Sequence, residues 1–194
     1  MTLRAVPYLL IAFRLLAGPA MLLLAWRLEA AARVPCAVIL ALGVLSDIFD
    51  GVIARRIGSV TDRLRTFDSR TDLIFWSCVT AAMLLLHPSL LAATWPMVAV
   101  LAALELTTHA ISFARFRREA SPHHLLSKLF ALALWALLTL MLIEGRGGPL
   151  QLLVFVMGIA SQLEAMAIML TLPAWRPDVR GLREALRLRA AARA

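Results

Sequence analysis

Charge is scarce in this chain: 16% of its 194 residues are Asp, Glu, Lys or Arg, against 61% hydrophobic, with mean hydropathy +0.83. That shortage excludes an ordinary soluble globule, because a chain of this length cannot hide so much apolar surface, and lipid must cover it. Lysine is nearly absent, Lys128 being the only one, so the formal net charge of +8 is an arginine charge. These arginines sit between and after apolar runs, which argues against nucleic acid and for membrane topology and contact with anionic lipid headgroups. Cysteine is limited to Cys36 and Cys78, each inside an apolar stretch. They form neither a disulfide framework nor a Cys/His zinc pattern and read as packing residues. No internal repeat, low-complexity tract or linker divides the chain.

What is present is a series of six apolar segments: Ala5–Trp26, Val34–Ala54, Asp68–Leu86, Leu91–Phe113, Leu125–Ile143 and Leu150–Leu172. They predict an all-α, polytopic membrane protein with six transmembrane helices and a cytoplasm-facing active-site cavity. Leu9–Leu24 resembles a signal-peptide core, but Arg14 and Pro19 interrupt it and five more spans follow, which favours a retained helix. With both termini cytoplasmic, Arg27, Arg33 and Arg146 fall outside. The other seventeen of the twenty basic residues then fall inside, the bias expected of cytoplasmic loops. Residues 1–174 form the transmembrane domain on this reading, in a membrane of the bacterial inner or plasma type. Residues 175–194 carry Arg176, Arg180, Arg183, Arg187, Arg189 and Arg193 beside Leu182, Leu186 and Leu188. They read either as a short interfacial basic helix or as a frayed positive tail.

Four acids break the apolar pattern. Asp47 and Asp50 are spaced i,i+3, and Asp68 and Asp72 are spaced i,i+4, so each pair shares one helical face. Acids inside a bilayer segment are costly and mark a pathway or a reaction by default. Val34–Leu45 is too short to cross the roughly 30 Å hydrocarbon core, so the second helix must run on through Asp47 and Asp50. The third gains length by starting near Asp68, and Arg55–Phe67 is expected to be the joining loop. Such a hairpin brings four carboxylates to one cytoplasmic end. All-oxygen ligation favours Mg²⁺ or Mn²⁺ over zinc or copper, and four carboxylates can hold two such cations. Gly51 and Ala54 leave space on the same face, and Arg55 is placed for a bidentate phosphate grip. The plain alternative pairs the acids with Arg55, Arg63, Arg65 and Arg70 at the membrane surface.

Asp47-x2-Asp50-Gly51-x2-Ala54-Arg55, followed by Asp68-x3-Asp72, resembles the signature of the CDP-alcohol phosphotransferase (phosphatidyltransferase) family, D-x2-D-G-x2-A-R-x8-G-x3-D-x3-D. Every spacing agrees, and seven of the eight specified positions agree by type. Arg14 with Pro19 in the first helix, and more weakly His123-x4-Lys128 opening the fifth, also resemble the family. The departure is Leu64, where the motif has its second glycine, close to the nucleotide in the family. The resemblance implies a phospholipid-biosynthetic transferase. It would move a substituted phosphate from a CDP-linked lipid, such as CDP-diacylglycerol, to an alcohol with release of CMP. It also implies a homodimer among membrane lipids. Carried over by position, Asp47, Asp50, Asp68 and Asp72 would hold two divalent cations. Asp72 would also deprotonate the acceptor hydroxyl, while Asp47, Gly51, Ala54 and Arg55 would contact the CDP moiety. Arg14, Arg65, Arg115, His123 and Lys128 are candidates for acceptor or headgroup contacts.

Two further classes remain in view. A small cation transporter could use Asp47, Asp50, Asp68, Asp72, Glu105 and Glu164 as ligands, but paired repeats and broken helices are lacking. A catalytically inactive family member is raised by Leu64. Glu105 and Glu164 are expected to be paired with His109, Arg115 or Ser161 rather than to react. Arg14 either reaches the acids or snorkels inward.

Overall fold

The computed structural model describes residues 5–58, 61–118, 120, 124–176 and 179–192. Among them the chain is helical with no strand. Its long helices are α1 (Val6–Leu28), α2 (Arg33–Arg56), α3 (Asp62–Leu86), α4 (Ser89–Phe116), α5 (Leu125–Glu144) and α6 (Gly148–Thr171), followed by a short α7 (Leu182–Ala191). A 3₁₀ turn, Glu29–Ala32, joins α1 to α2. Among the described residues four stretches are long and apolar enough to cross a membrane: Val6–Ala54, Ser89–Phe116, Leu125–Glu144 and Gly148–Thr171. Large apolar side chains lie bare along them, Leu16 at 71% and Leu106 at 69% exposed, as lipid contact allows and water does not. The chain is an integral membrane protein.

The expected loop over Arg55–Phe67 is largely helical instead. α2 continues to Arg56, and α3 starts at Asp62, six residues before the apolar pattern begins. The cause is a cap: the Thr61 hydroxyl accepts from the Leu64 N–H at 3.1 Å, satisfying a donor that the first turn would leave orphaned. Asp68 therefore lies in the second turn of α3 rather than at its start.

The chain forms two compact units, the first comprising residues 1–91 and 138–146. Within it α1 is the shared element, packing along both α2 and α3. Small residues permit this: Gly18 stands where a Cβ would lie 3.2 Å from the Phe75 Cα, and a Cβ on Gly43 would sit inside the Phe75 ring. Ile11, Ala54 and Leu64 form a buried cluster with Phe67 against it. At the other end of α3, His87 is buried with its Nε2 3.0 Å from the Leu142 carbonyl oxygen, against Gly145.

The second unit comprises residues 92–137 and 147–194. Its core is Ile168, Met169, Leu172, Val179 and Ala185, so α7 is folded onto α6. The connection is pinned by the Leu125 N–H donating to the Arg180 carbonyl and the Leu182 N–H to Glu164, both at 3.2 Å.

Candidate active site

The site grows out of α1, α2 and α3. Asp47 and Asp50 follow one another on one face of α2, and Asp68 and Asp72 on one face of α3. Because α1 packs along both helices, its ninth residue, Arg14, can face both pairs at once. Arg14 is 1% exposed. One guanidinium Nη donates to Asp47. The other donates to Asp68 and, at 3.2 Å, to Asp50. Its Nε lies 3.1 Å from Asp72 Oδ1, an ion pair that lacks hydrogen-bond alignment. The structure thus brings all four acids around a single cationic side chain. Their exposure differs: the Asp50 side chain is 5% exposed, whereas Asp47 is 48%.

One oxygen from each of Asp47, Asp50 and Asp68 lies within 4.8 Å of the others. That donor set, carboxylate throughout without thiol or imidazole, fits a hard divalent cation such as Mg²⁺ or Mn²⁺. Gly51 and Ala54 follow on α2, and Ala54 is buried against Ile11 and Leu64. Leu64, the position that departs from the motif glycine, is 5% exposed and serves as core. The side chains of Arg55 and Arg65 and the whole of His123 lie outside the described residues.

The other candidates belong to the second unit. Arg115 donates to the carbonyls of Met169 and, at 3.2 Å, Leu172, so it caps the end of α6, and its guanidinium stacks over Phe116. Lys128 lies exposed in the first turn of α5. Glu105 pairs with His109 at 3.0 Å, as its i,i+4 spacing predicts, and also accepts from Gln162, a partner 57 residues away that spacing does not reveal. Glu164 pairs not with His109, Arg115 or Ser161 but with His124, whose Nδ1 is 3.2 Å away. His124 directly precedes α5 and Glu164 lies on α6, so the pair joins those two parts of the chain.

A helical membrane protein with four aspartates gathered at one site defines a narrow class, and the comparison with known families narrows it further. The model of the CDP-alcohol phosphatidyltransferase family matches residues 4–173, most of the chain. The chain belongs to that family of transferases of substituted phosphate groups, which carry out phosphatidyl transfer from CDP-alcohols in lipid synthesis. No curated protein and no solved structure matches it significantly.

Proposed function

We propose that the protein transfers a phosphatidyl group from CDP-diacylglycerol to an alcohol and releases CMP, with the aspartate quartet as its active site. The observation that carries this reading is the convergence of Asp47, Asp50, Asp68 and Asp72 from two helices onto one volume, in a chain of this family. The four carboxylates would hold two divalent cations, Mg²⁺ or Mn²⁺. Such cations, when bound, supply charge neutralisation at the donor's pyrophosphate and polarise the attacking hydroxyl. Asp72 takes the proton from the acceptor hydroxyl as its oxygen bonds to the β-phosphorus. The bond between that phosphorus and the bridging oxygen breaks, and CMP leaves with the electron pair. Asp72 suits the part because it stands outside the convergent trio of Asp47, Asp50 and Asp68 and, unlike them, makes no aligned hydrogen bond to Arg14. Asp47, Gly51, Ala54 and Arg55 contact the CDP moiety, small side chains admitting it and the guanidinium gripping phosphate.

Residues 1–174 cross the membrane six times, with both termini and a cavity over the quartet on the cytoplasmic side of a bacterial-type inner membrane. Residues 175–194 lie at its surface, and the working unit is a homodimer. The acceptor is an anionic polyol phosphate, because the inner loops and helix starts carry Arg63, Arg65, Arg70, Arg115, Arg117, Arg118, His123 and Lys128. Arg14, Arg65, Arg115, His123 and Lys128 are the contacts proposed for it or for headgroups.

The test is CMP release from radiolabelled CDP-diacylglycerol in detergent micelles. The reaction should require Mg²⁺ or Mn²⁺ and should fall at least about a hundredfold on Asp47→Asn, Asp50→Asn or Asp68→Asn. Full activity in excess EDTA rejects the divalent-cation site. Asp72→Asn should lose turnover while keeping metal and CDP binding; equal loss of both reduces Asp72 to a ligand. Turnover with serine or diacylglycerol, and none with glycerol 3-phosphate or inositol phosphate, rejects the anionic acceptor alone.

A further inference from the structure

Arg14 is the only charged residue in the first twenty-one residues of α1, and it lies buried against all four acids. Four ionised carboxylates in so small a volume repel one another, and one guanidinium offsets only one of them. Arg14 therefore bridges the cluster, in which four acids face one cation. Its Nη atoms bond to Asp47, Asp50 and Asp68, the same three acids whose oxygens converge within 4.8 Å. A carboxylate oxygen committed to a guanidinium cannot at the same time be a full ligand of a cation in the same place. An arginine does not resolve that conflict by losing its proton, since it stays charged at any relevant pH. It can only move.

We propose that Arg14 is a built-in counter-ion of the quartet. It keeps the four aspartates in register while no divalent cation is bound, competes with the cation for Asp47, Asp50 and Asp68, and turns aside when the cation enters. The inference rests on the reading of the quartet as a divalent-cation site. It assigns Arg14 the part of a positioning residue and distinguishes it from a mere snorkelling or packing arginine. Its five N–H donors form a rigid fork, so a displaced Arg14 can still serve an anionic oxygen elsewhere in the site, and Asp72 is the one acid of the four to which it makes no aligned hydrogen bond. The competition also sets a threshold: the site fills only when the cation outbids a guanidinium already in place.

The experiment measures Mn²⁺ binding to the full chain in detergent, by the electron paramagnetic resonance signal of free Mn²⁺, together with thermal unfolding in EDTA and in Mn²⁺. Neither readout depends on turnover. Arg14→Gln should unfold at a lower temperature in EDTA, because the acids lose their counter-charge. The same variant should bind Mn²⁺ about tenfold more tightly than wild type and gain more stability from it. Arg14→Lys keeps the charge but not the fork, and should bind Mn²⁺ with an affinity between those of wild type and Arg14→Gln. Unchanged or weaker Mn²⁺ affinity in Arg14→Gln overturns the proposal and leaves Arg14 a structural residue. If Arg14→Gln does not fold even with Mn²⁺ present, Arg14→Lys decides on the same criterion. Wild-type protein that takes up no Mn²⁺ at millimolar concentration overturns the divalent-site reading itself, and this inference with it. Wild-type uptake that is lost in Asp50→Asn shows that reading intact, whichever way Arg14 falls.

Discussion

Leu64 shows how a single residue can leave a motif and still serve the fold. The family signature has glycine there, yet the leucine is buried against Ile11 and Ala54, and its N–H receives the Thr61 cap. A glycine would remove that packing and loosen the first turn of α3. Leu64→Gly should therefore destabilise the protein by on the order of 3 kcal/mol, through a cavity and the loss of helix propensity. Thermal unfolding in detergent measures it. Because Ala54 belongs to the same cluster and Asp68 directly follows Phe67, which packs on it, CMP release should fall with stability rather than rise toward a glycine-bearing site. A Leu64→Gly variant that is both as stable as wild type and more active would show that the leucine is an impediment.

At the scale of elements, helix ends decide the arrangement more than helix bodies do. Gly145 follows α5 with φ at +71°, and a Cβ there would come within 2.5 Å of the His87 ring. Gly58 follows α2 with φ at +64° and, among the described residues, nothing within 4 Å of an added Cβ. Alanine at position 58 meets backbone strain alone, about 1 kcal/mol. Alanine at position 145 meets that strain plus a collision with a buried histidine, about 2–3 kcal/mol. Comparing the two melting temperatures separates strain from packing, and equal losses would deny the His87 contact any weight. At the end of α6, Arg115→Ala removes two donors from the carbonyls of Met169 and Leu172. We expect about 1–2 kcal/mol of destabilisation and faster amide exchange over the last turn of α6, with the rest of the helix unaffected.

For the whole molecule, the testable quantity is sidedness. Three of the twenty basic residues, Arg27, Arg33 and Arg146, are assigned outside, and that asymmetry predicts a cytoplasmic aspartate quartet. After Cys36 and Cys78 have been replaced by alanine, single cysteines at positions 60 and 120 should react with an impermeant maleimide only in inside-out vesicles. A cysteine at position 147 should react only in intact cells. The reverse pattern would put the quartet on the opposite face, away from a cytoplasmic nucleotide donor.

Much of this was legible in the sequence, for a physical reason. Hydropathy is a property of consecutive residues, so the long helices were recognisable from their apolar runs. Motif spacing is equally local, so the two aspartate pairs and the family could be read from positions 47 to 72. Helix ends were less accessible: α3 begins at Asp62 because Thr61 caps it, and an apolar count does not see a hydroxyl meeting an amide. Contacts between distant residues were beyond reach altogether. Glu164 on α6 pairs with His124, forty residues earlier at the start of α5, which no local spacing reveals. That Arg14 touches four acids, rather than snorkelling to the surface, was decided only when α1 packed along both α2 and α3. The sequence by itself determined which groups could do chemistry, because their types and local spacing are covalent facts. Which of them share one charged volume was decided by tertiary packing, since only close helix contacts at Gly18 and Gly43 bring those groups within a few ångströms.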